Sequence, residues 1–169
     1  SQQLLSKNPV FAGKVESLLK SFPDCKMIYL VRNPLDVVPS TISLTRTIVK
    51  MLGVSDPPDV EERVYDLVKF YYTYPLERLD SLPQNRFMVV NYEELLHDPK
   101  QTIEKVYDQL GLALSPQYEH RLEEEAAKMK EFKSSHKYTL PESGVTHERI
   151  VSELKHVFKR FGFDTREAP

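Results

Sequence analysis

The sequence is poor in several features that mark particular classes of protein. It has one cysteine, Cys25, which excludes an internal disulfide framework and a metal site built from several cysteines. No apolar run approaches the roughly 18 residues of a membrane-spanning helix, and the first residues lack the pattern of a secretory signal peptide. The net charge of −2 argues against a broad nucleic-acid-binding surface, so any anion site must be local.

Length and composition fit one globular domain. The 169 residues are 40% hydrophobic and 28% charged, which is enough apolar material for a sizeable core. Periodicity and turn signals predict strands at 4–5, 27–31 and 86–90, and helices at 9–22, 34–51, 60–79, 99–110, 116–128 and 147–161. Strands that alternate with helices predict an α/β fold, with a parallel sheet covered by helices on both faces.

The junction between the strand at 27–31 and the following helix is the most informative segment. Arg32 comes directly after the apolar, β-branched run, and Asn33-Pro34 is a good start for a helix. Free backbone N–H groups and the helix dipole favour an anion at such a place, and the planar guanidinium suits a phosphate. Ser40 adds a hydroxyl two helical turns further on. The chemistry therefore indicates a phosphate site.

Chemistry alone leaves a plainer alternative open. The segment can also be an ordinary β–α turn in which Arg32 pairs with Asp36, which stands where the positive end of the helix dipole favours it. Pro39 lies inside the predicted helix, and we expect it to distort the first turns.

Three polar positions follow predicted strands. Lys7 follows the strand at 4–5, Arg32 follows the strand at 27–31, and Asn91 and Tyr92 follow the strand at 86–90. Ligands of parallel α/β sheets bind beyond the carboxyl ends of the strands. The topology therefore predicts that these side chains meet at one edge of the sheet.

Two segments resemble the sulfotransferases that use 3′-phosphoadenosine 5′-phosphosulfate (PAPS). VRNPLDVVPS, residues 31–40, resembles their 3′-phosphate-binding segment, in which Arg32 and Ser40 match the two residues that hold the phosphate. VVNYEELLHDPKQTIEKVYDQLGL, residues 89–112, resembles a later region, in which Tyr92 matches a tyrosine close to the adenine. The resemblance implies a P-loop-NTPase-like sulfotransferase fold and PAPS as co-substrate, without a metal.

The chain departs from the family pattern at two places. Lys7 matches a lysine that stabilises the transferring sulfuryl group, but the segment Lys7-Asn8-Pro9 lacks the histidine that acts as base in the cytosolic branch. The alternative for Lys7 is a solvated residue at a helix start. The family's Gly/Ser/Thr-rich phosphosulfate loop has no counterpart, since all five glycines are isolated. We therefore expect 1–169 to be a single, partial sulfotransferase-like domain that lacks the first β–loop–α unit and is inactive alone.

Two further regions have competing interpretations. The polar stretch at 134–144 resembles a late basic loop that folds over the 3′-phosphate, and it contains His136, Lys137 and Tyr138. It can equally be an exposed connection. Apolar and aromatic residues at helical spacing between 64 and 72 predict core packing rather than an acceptor pocket.

The resemblance thus predicts an enzyme that moves a sulfuryl group from PAPS to a hydroxyl or amine. The acceptor is a small molecule, a carbohydrate or a lipid, and nucleic acid is not a partner. The alternatives are a non-catalytic nucleotide-binding or interaction domain of the same fold, and a kinase-like phosphotransferase. We expect a cytoplasmic location, with a luminal enzyme held by an N-terminal anchor as the alternative.

Overall fold

The computed structural model describes residues 4–55, 57–129 and 143–166. In chain order its elements are a 3₁₀ helix (Pro9–Lys14), α1 (Val15–Ser21), β1 (Met27–Val31), α2 (Pro34–Met51), α3 (Val60–Leu79), a 3₁₀ helix (Gln84–Arg86), β2 (Phe87–Asn91), α4 (Tyr92–His97), α5 (Pro99–Gln109), α6 (Pro116–Met129), α7 (His147–Glu153) and α8 (Lys155–Phe161). Most of these elements lie within one or two residues of their predicted bounds.

Strands β1 and β2 are parallel neighbours. Their register pairs Met27 with Phe87 at one end and Val31 with Asn91 at the other. Helices α2 and α3 lie between the strands in sequence, and parallel strands need such a crossover. Both strands therefore end at the same edge of the sheet, and the predicted α/β class with parallel strands is confirmed.

Helix α2 begins at a well-formed cap. The Asn33 side chain accepts a hydrogen bond of 3.0 Å from the N–H of Leu35, and Pro34 occupies a position where no helical hydrogen bond is lost. Pro39 lies inside the helix, which nevertheless continues to Met51. The buried ring of Pro39 packs in the interior, and this burial offsets the hydrogen bond that the proline removes.

Helix α3 also continues past an internal proline, Pro75, to its end at Leu79. A proline has no N–H, so the carbonyl of Tyr71, one turn earlier, loses its helical donor. The hydroxyl of Tyr29 on β1 donates to that carbonyl at 2.6 Å. The carbonyl thus keeps a partner, and α3 is tied to the middle of the sheet.

The main hydrophobic core joins β1 to α2, α3, α7 and α8. Val31 of β1, Ile42 of α2, Tyr65 of α3 and Val157 of α8 are all 1% exposed or less. The apolar positions of α3 at 64, 68 and 72 are buried in the same cluster. They are core residues, as their helical spacing predicted.

The other face of the sheet is covered less completely. Val90 of β2 packs with Val106 and Leu110 in a second, smaller cluster. On the β1 side of that face, Ile28 and Leu30 are 49% and 48% exposed. Helices of the described residues therefore cover one face of the sheet more completely than the other.

Three sequence predictions need correction. The segment 9–22 is not one α-helix, because Pro9–Lys14 forms a 3₁₀ helix before α1 begins at Val15. Leu4 and Leu5 do not form a buried strand: they are 95% and 88% exposed, and two residues offer too few ladder hydrogen bonds to hold a strand without a neighbour. The final helix is not continuous, because it breaks at Leu154 into α7 and α8. Gly162, at φ 65°, ends α8 in the left-handed conformation that glycine favours. Among the described helices, none is long and apolar enough to cross a membrane.

Candidate functional site

Arg32 and Tyr92 meet at the carboxyl edge of the sheet. Arg32 is the first residue after β1, and Tyr92 is the first residue after β2. The register places Val31 beside Asn91, so the residues that follow are also neighbours. The guanidinium carbon of Arg32 lies over the Tyr92 ring, 5.1 Å from its centroid. This cation–π contact orients the planar guanidinium and joins two of the predicted nucleotide-binding residues.

Arg32 has one weak polar contact with the protein. Its Nε donates to Oδ2 of Asp36 at 3.3 Å, and the two side chains are 47% and 44% exposed. Ion pairs of this kind contribute little to stability. No hydrogen bond to a described residue uses the two Nη atoms of Arg32. The Arg32–Asp36 pair of the plainer alternative therefore exists, but it leaves a fork of donors open to an anion.

Ser40 has a hydroxyl without a partner among the described residues. It lies one turn after Asp36 on the same face of α2, and it is partly exposed. The threonine hydroxyls of α2 differ, because Thr41, Thr45 and Thr47 each donate to the carbonyl four residues earlier at 2.7, 2.8 and 2.9 Å. The Ser40 hydroxyl is thus available to donate a hydrogen bond, on the same face of α2 as Asp36.

The turn between β1 and α2 is held from two sides. From inside, the hydroxyl of Tyr72 on α3 donates to the backbone carbonyl of Arg32 at 2.5 Å. From outside, Nδ2 of Asn33 donates to the carbonyl of Asp164, in the segment after α8, at 2.9 Å. Elements far apart in sequence therefore fix the backbone that carries Arg32.

Burial keeps the supporting tyrosines protonated. Loss of solvent around the Tyr72 hydroxyl raises its pKa well above the usual value. Burial likewise raises the pKa of Tyr29. Both hydroxyls are therefore hydrogen-bond donors throughout the neutral pH range, and their contacts to the carbonyls of Arg32 and Tyr71 do not change with pH there.

The donors at this edge fit a phosphate group. The Nη fork of Arg32, the Ser40 hydroxyl and the N-terminal end of the 18-residue helix α2 all favour an anion. Asp36 is the opposing charge at this edge, and its contact with Arg32 uses Nε rather than the two Nη atoms. Chemically, the arrangement can bind and orient a phosphate.

The remaining predicted site residues are Lys7 and the group His136, Lys137 and Tyr138. Lys7 is exposed, and no hydrogen bond or ion pair joins it to another described residue. His136, Lys137 and Tyr138 lie outside the described residues.

A cavity of about 290 Å³ lies elsewhere, between the end of α4, the start of α5 and α6. Its lining includes Lys100 and Glu123, which form an ion pair of 2.6 Å across it. None of the predicted site residues lines this cavity.

Comparison with known proteins identifies the family. A sequence profile described as "Sulfotransferase family" matches residues 1–116, which is 116 of the 169 residues. The chain belongs to the sulfotransferase family.

Two curated relatives are the omega-hydroxy-beta-dihydromenaquinone-9 sulfotransferases Stf3 of Mycobacterium bovis and Mycobacterium tuberculosis, each 27% identical to this chain over 164 residues. These alignments cover 95% of the chain and 41% of each relative, so the chain spans about two fifths of the length of these sulfotransferases.

A solved sulfotransferase structure has the same fold. The crystal structure of sulfotransferase STF9 from Mycobacterium avium matches with a TM-score of 0.79 and 22% sequence identity. The match covers 94% of this chain and 41% of that chain. The predicted sulfotransferase fold is therefore confirmed.

Sequence reasoning missed the contribution of Tyr72. Helical spacing assigned it to the core, which is correct for its ring, but spacing cannot show that its hydroxyl reaches a carbonyl 40 residues away. The available signal was the residue type, since a buried tyrosine hydroxyl needs a partner that a phenylalanine at the same place would not need.

Proposed function

We propose that the full-length protein is a sulfotransferase that binds PAPS and moves its sulfuryl group to a hydroxyl acceptor. One observation carries most weight: at the carboxyl edge of a sulfotransferase fold, Arg32 stacks on Tyr92 and has an unpaired Nη fork among the described residues. The Tyr92 ring orients this guanidinium, and neighbouring carboxylates leave some of its N–H donors unused. Such a guanidinium is suited to binding a phosphate of a ligand.

Each residue of the edge has a distinct task in this proposal. Arg32 donates two N–H groups to oxygens of the 3′-phosphate, and Ser40 donates its hydroxyl to the same group. The Tyr92 ring orients the planar guanidinium of Arg32 and presents its own edge towards the adenine. Asp36 releases Nε of Arg32 as the phosphate arrives. Together these contacts hold the nucleotide in one orientation, and positioning is a large part of the catalysis of group transfer.

The remaining candidate residues enter the proposal through the family resemblance. Lys7 would stabilise the charge that develops on the sulfuryl oxygens during transfer. By the family resemblance, His136, Lys137 and Tyr138 would also contact the 3′-phosphate. Lys7 is exposed and has no competing partner among the described residues, which suits a cation that binds substrate.

The names of the curated relatives support a hydroxyl as the acceptor. Both Stf3 proteins are named for omega-hydroxy-beta-dihydromenaquinone-9. We therefore extend the proposal to a hydroxylated, lipid-like acceptor rather than an amine.

Isothermal titration of the full-length protein tests nucleotide recognition. The ligands are 3′-phosphoadenosine 5′-phosphate (PAP) and AMP, which differ only in the 3′-phosphate. We expect PAP to bind about 100-fold more tightly than AMP, because two or more charge-assisted hydrogen bonds depend on that group. Equal affinities would contradict the proposal.

Transfer of radiolabelled sulfate from PAPS to an omega-hydroxylated menaquinone tests the reaction itself. Labelled lipid is the expected product. Selective PAP binding without transfer to this or any other hydroxyl acceptor would favour the non-catalytic nucleotide-binding domain.

A further inference from the structure

We propose that Tyr72 is a positioning residue for the 3′-phosphate site. Its hydroxyl orients the peptide unit between Arg32 and Asn33, so that the N–H of Asn33 faces the phosphate together with the Arg32 guanidinium. This inference rests on the proposed function and adds to it a residue that does not touch the nucleotide.

The first step is the contact between Tyr72 and the turn. Tyr72 is 5% exposed, with its ring in the main core, and its hydroxyl donates to the carbonyl of Arg32 at 2.5 Å. The carbonyl of Arg32 therefore points inward, towards the core.

The second step is the geometry of a peptide unit. The unit is planar and trans, so its C=O and N–H point in opposite directions. Because the carbonyl of Arg32 faces the core, the N–H of Asn33 faces the solvent side of the turn. No hydrogen bond within the described residues uses that N–H. The side chain of Arg32, which precedes this N–H, is half-exposed and therefore also accessible from the solvent.

The third step is that no regular element fixes this peptide. Strand β1 ends at Val31, and the first backbone bonds of α2 are accepted by the carbonyl of Asn33, from Asp36 and Val37 at 3.0 and 3.1 Å. The carbonyl of Arg32 belongs to neither element. The hydrogen bond from Asn33 to Asp164 holds the Asn33 side chain and not this peptide unit. We therefore expect that, without the Tyr72 hydroxyl, the carbonyl of Arg32 turns towards water and the N–H of Asn33 turns away from the phosphate.

The protein contains a matched control for this contact. Tyr29 and Tyr72 both join β1 or its end to α3, and each donates its hydroxyl to a backbone carbonyl, at 2.6 and 2.5 Å. The Tyr29 bond ends on Tyr71, inside α3 and away from the turn. Removing either hydroxyl therefore removes one buried hydrogen bond between the same parts of the fold, but of the two bonds only that of Tyr72 holds the carbonyl of Arg32.

Tyr72→Phe and Tyr29→Phe in the full-length protein, titrated with PAP and with AMP, test the inference. We expect Tyr72→Phe to weaken PAP binding about tenfold, the size of one charge-assisted hydrogen bond, and to change AMP binding less than about twofold. Tyr29→Phe should lower the melting temperature by a similar amount to Tyr72→Phe while leaving the ratio of PAP to AMP affinity unchanged.

The outcomes separate this inference from the proposed function. If the parent prefers PAP and Tyr72→Phe keeps the full preference, or if both tyrosine variants lose it equally, the positioning role is wrong while the proposed function stands. If the parent binds PAP and AMP equally, the proposed function fails, and the inference fails with it.

A measurement on the unmodified protein removes any dependence on how the variants fold. We expect the amide proton resonance of Asn33 to shift downfield when PAP binds and to stay in place when AMP binds. An Asn33 amide that does not respond to PAP would overturn the inference.

Discussion

Three arginines among the described residues lie over tyrosine rings, and two of them, Arg32 and Arg149, differ in their hydrogen bonds. Arg32 lies 5.1 Å from the ring centroid of Tyr92 at the carboxyl edge of the sheet, and Arg149 lies 4.7 Å from that of Tyr65 at the α3–α7 contact. Within the part of the chain that the structure describes, the Arg32 guanidinium has one hydrogen bond, at 3.3 Å. Arg149 uses all three guanidinium nitrogens in hydrogen bonds of 2.6 to 2.8 Å.

The partners of Arg149 explain the difference. Glu62 on α3 accepts from both Nη atoms, and Glu153 on α7 accepts from Nε. These hydrogen bonds raise the pKa of Arg149 and lower the pKa of Glu62. The pKa of Glu153 is lowered by its hydrogen bond to Lys69 and then by that to Arg149, so both carboxyls stay ionised to a lower pH than an ordinary glutamate. A guanidinium saturated in this way joins two helices. A stacked guanidinium that keeps its donors, like Arg32, is equipped for a ligand.

Alanine substitution of each arginine is the strongest test of the contrast between Arg32 and Arg149. Arg32→Ala should weaken PAP binding about 100-fold, because two charge-assisted hydrogen bonds are lost, and should leave the melting temperature within about 1 °C. Arg149→Ala should leave PAP affinity unchanged and lower the melting temperature by about 2 to 4 °C. Titration calorimetry and differential scanning calorimetry of the full-length variants measure both effects, and the reverse pattern would break the comparison.

The Tyr92 ring should have a smaller effect. Tyr92→Leu removes the surface on which Arg32 stacks, and we expect PAP to bind about fivefold more weakly. Tyr92→Phe is the matched control: it keeps the ring and should stay within about twofold of the parent. If leucine were as good as phenylalanine in these titrations, stacking would not orient Arg32.

Asp36 should have the smallest effect, and of opposite sign. Asp36→Asn removes the carboxylate that competes for Nε of Arg32, so PAP should bind about threefold more tightly at low salt. The gain should shrink at high salt, because the repulsion between Asp36 and the phosphate is screened. Weaker binding in the asparagine variant would mean that Asp36 holds Arg32 in place for the ligand.

Local signals predicted the elements around the site well. The apolar run at 27–31 became β1, and Asn33-Pro34 capped a helix that ends at Met51, as its pattern indicated. The order of strands and helices also predicted that residues after β1 and β2 would be neighbours. The helix and strand bounds follow from interactions within a few residues, and the parallel sheet follows from the alternation of strands and helices. Both signals can be read from a sequence.

Long-range contacts were not predictable in the same way. Tyr72 bonds to Arg32 across 40 residues, and Asn33 bonds to the carbonyl of Asp164 across 131. Hydrophobic spacing indicates which side chains are buried, but not which polar atoms meet in the interior. The strand expected at Leu4–Leu5 is wrong for a related reason, because strand formation depends on a neighbour that the pattern does not reveal.

A crystal structure of the full-length protein with PAP is the most direct test of the phosphate site. We predict that oxygens of the 3′-phosphate lie about 2.7 to 3.2 Å from an Nη atom of Arg32 and from Oγ of Ser40, with the Arg32–Asp36 contact lengthened. A 3′-phosphate bound elsewhere, with Arg32 still on Asp36, would contradict the central claim that this guanidinium and this hydroxyl hold one phosphate.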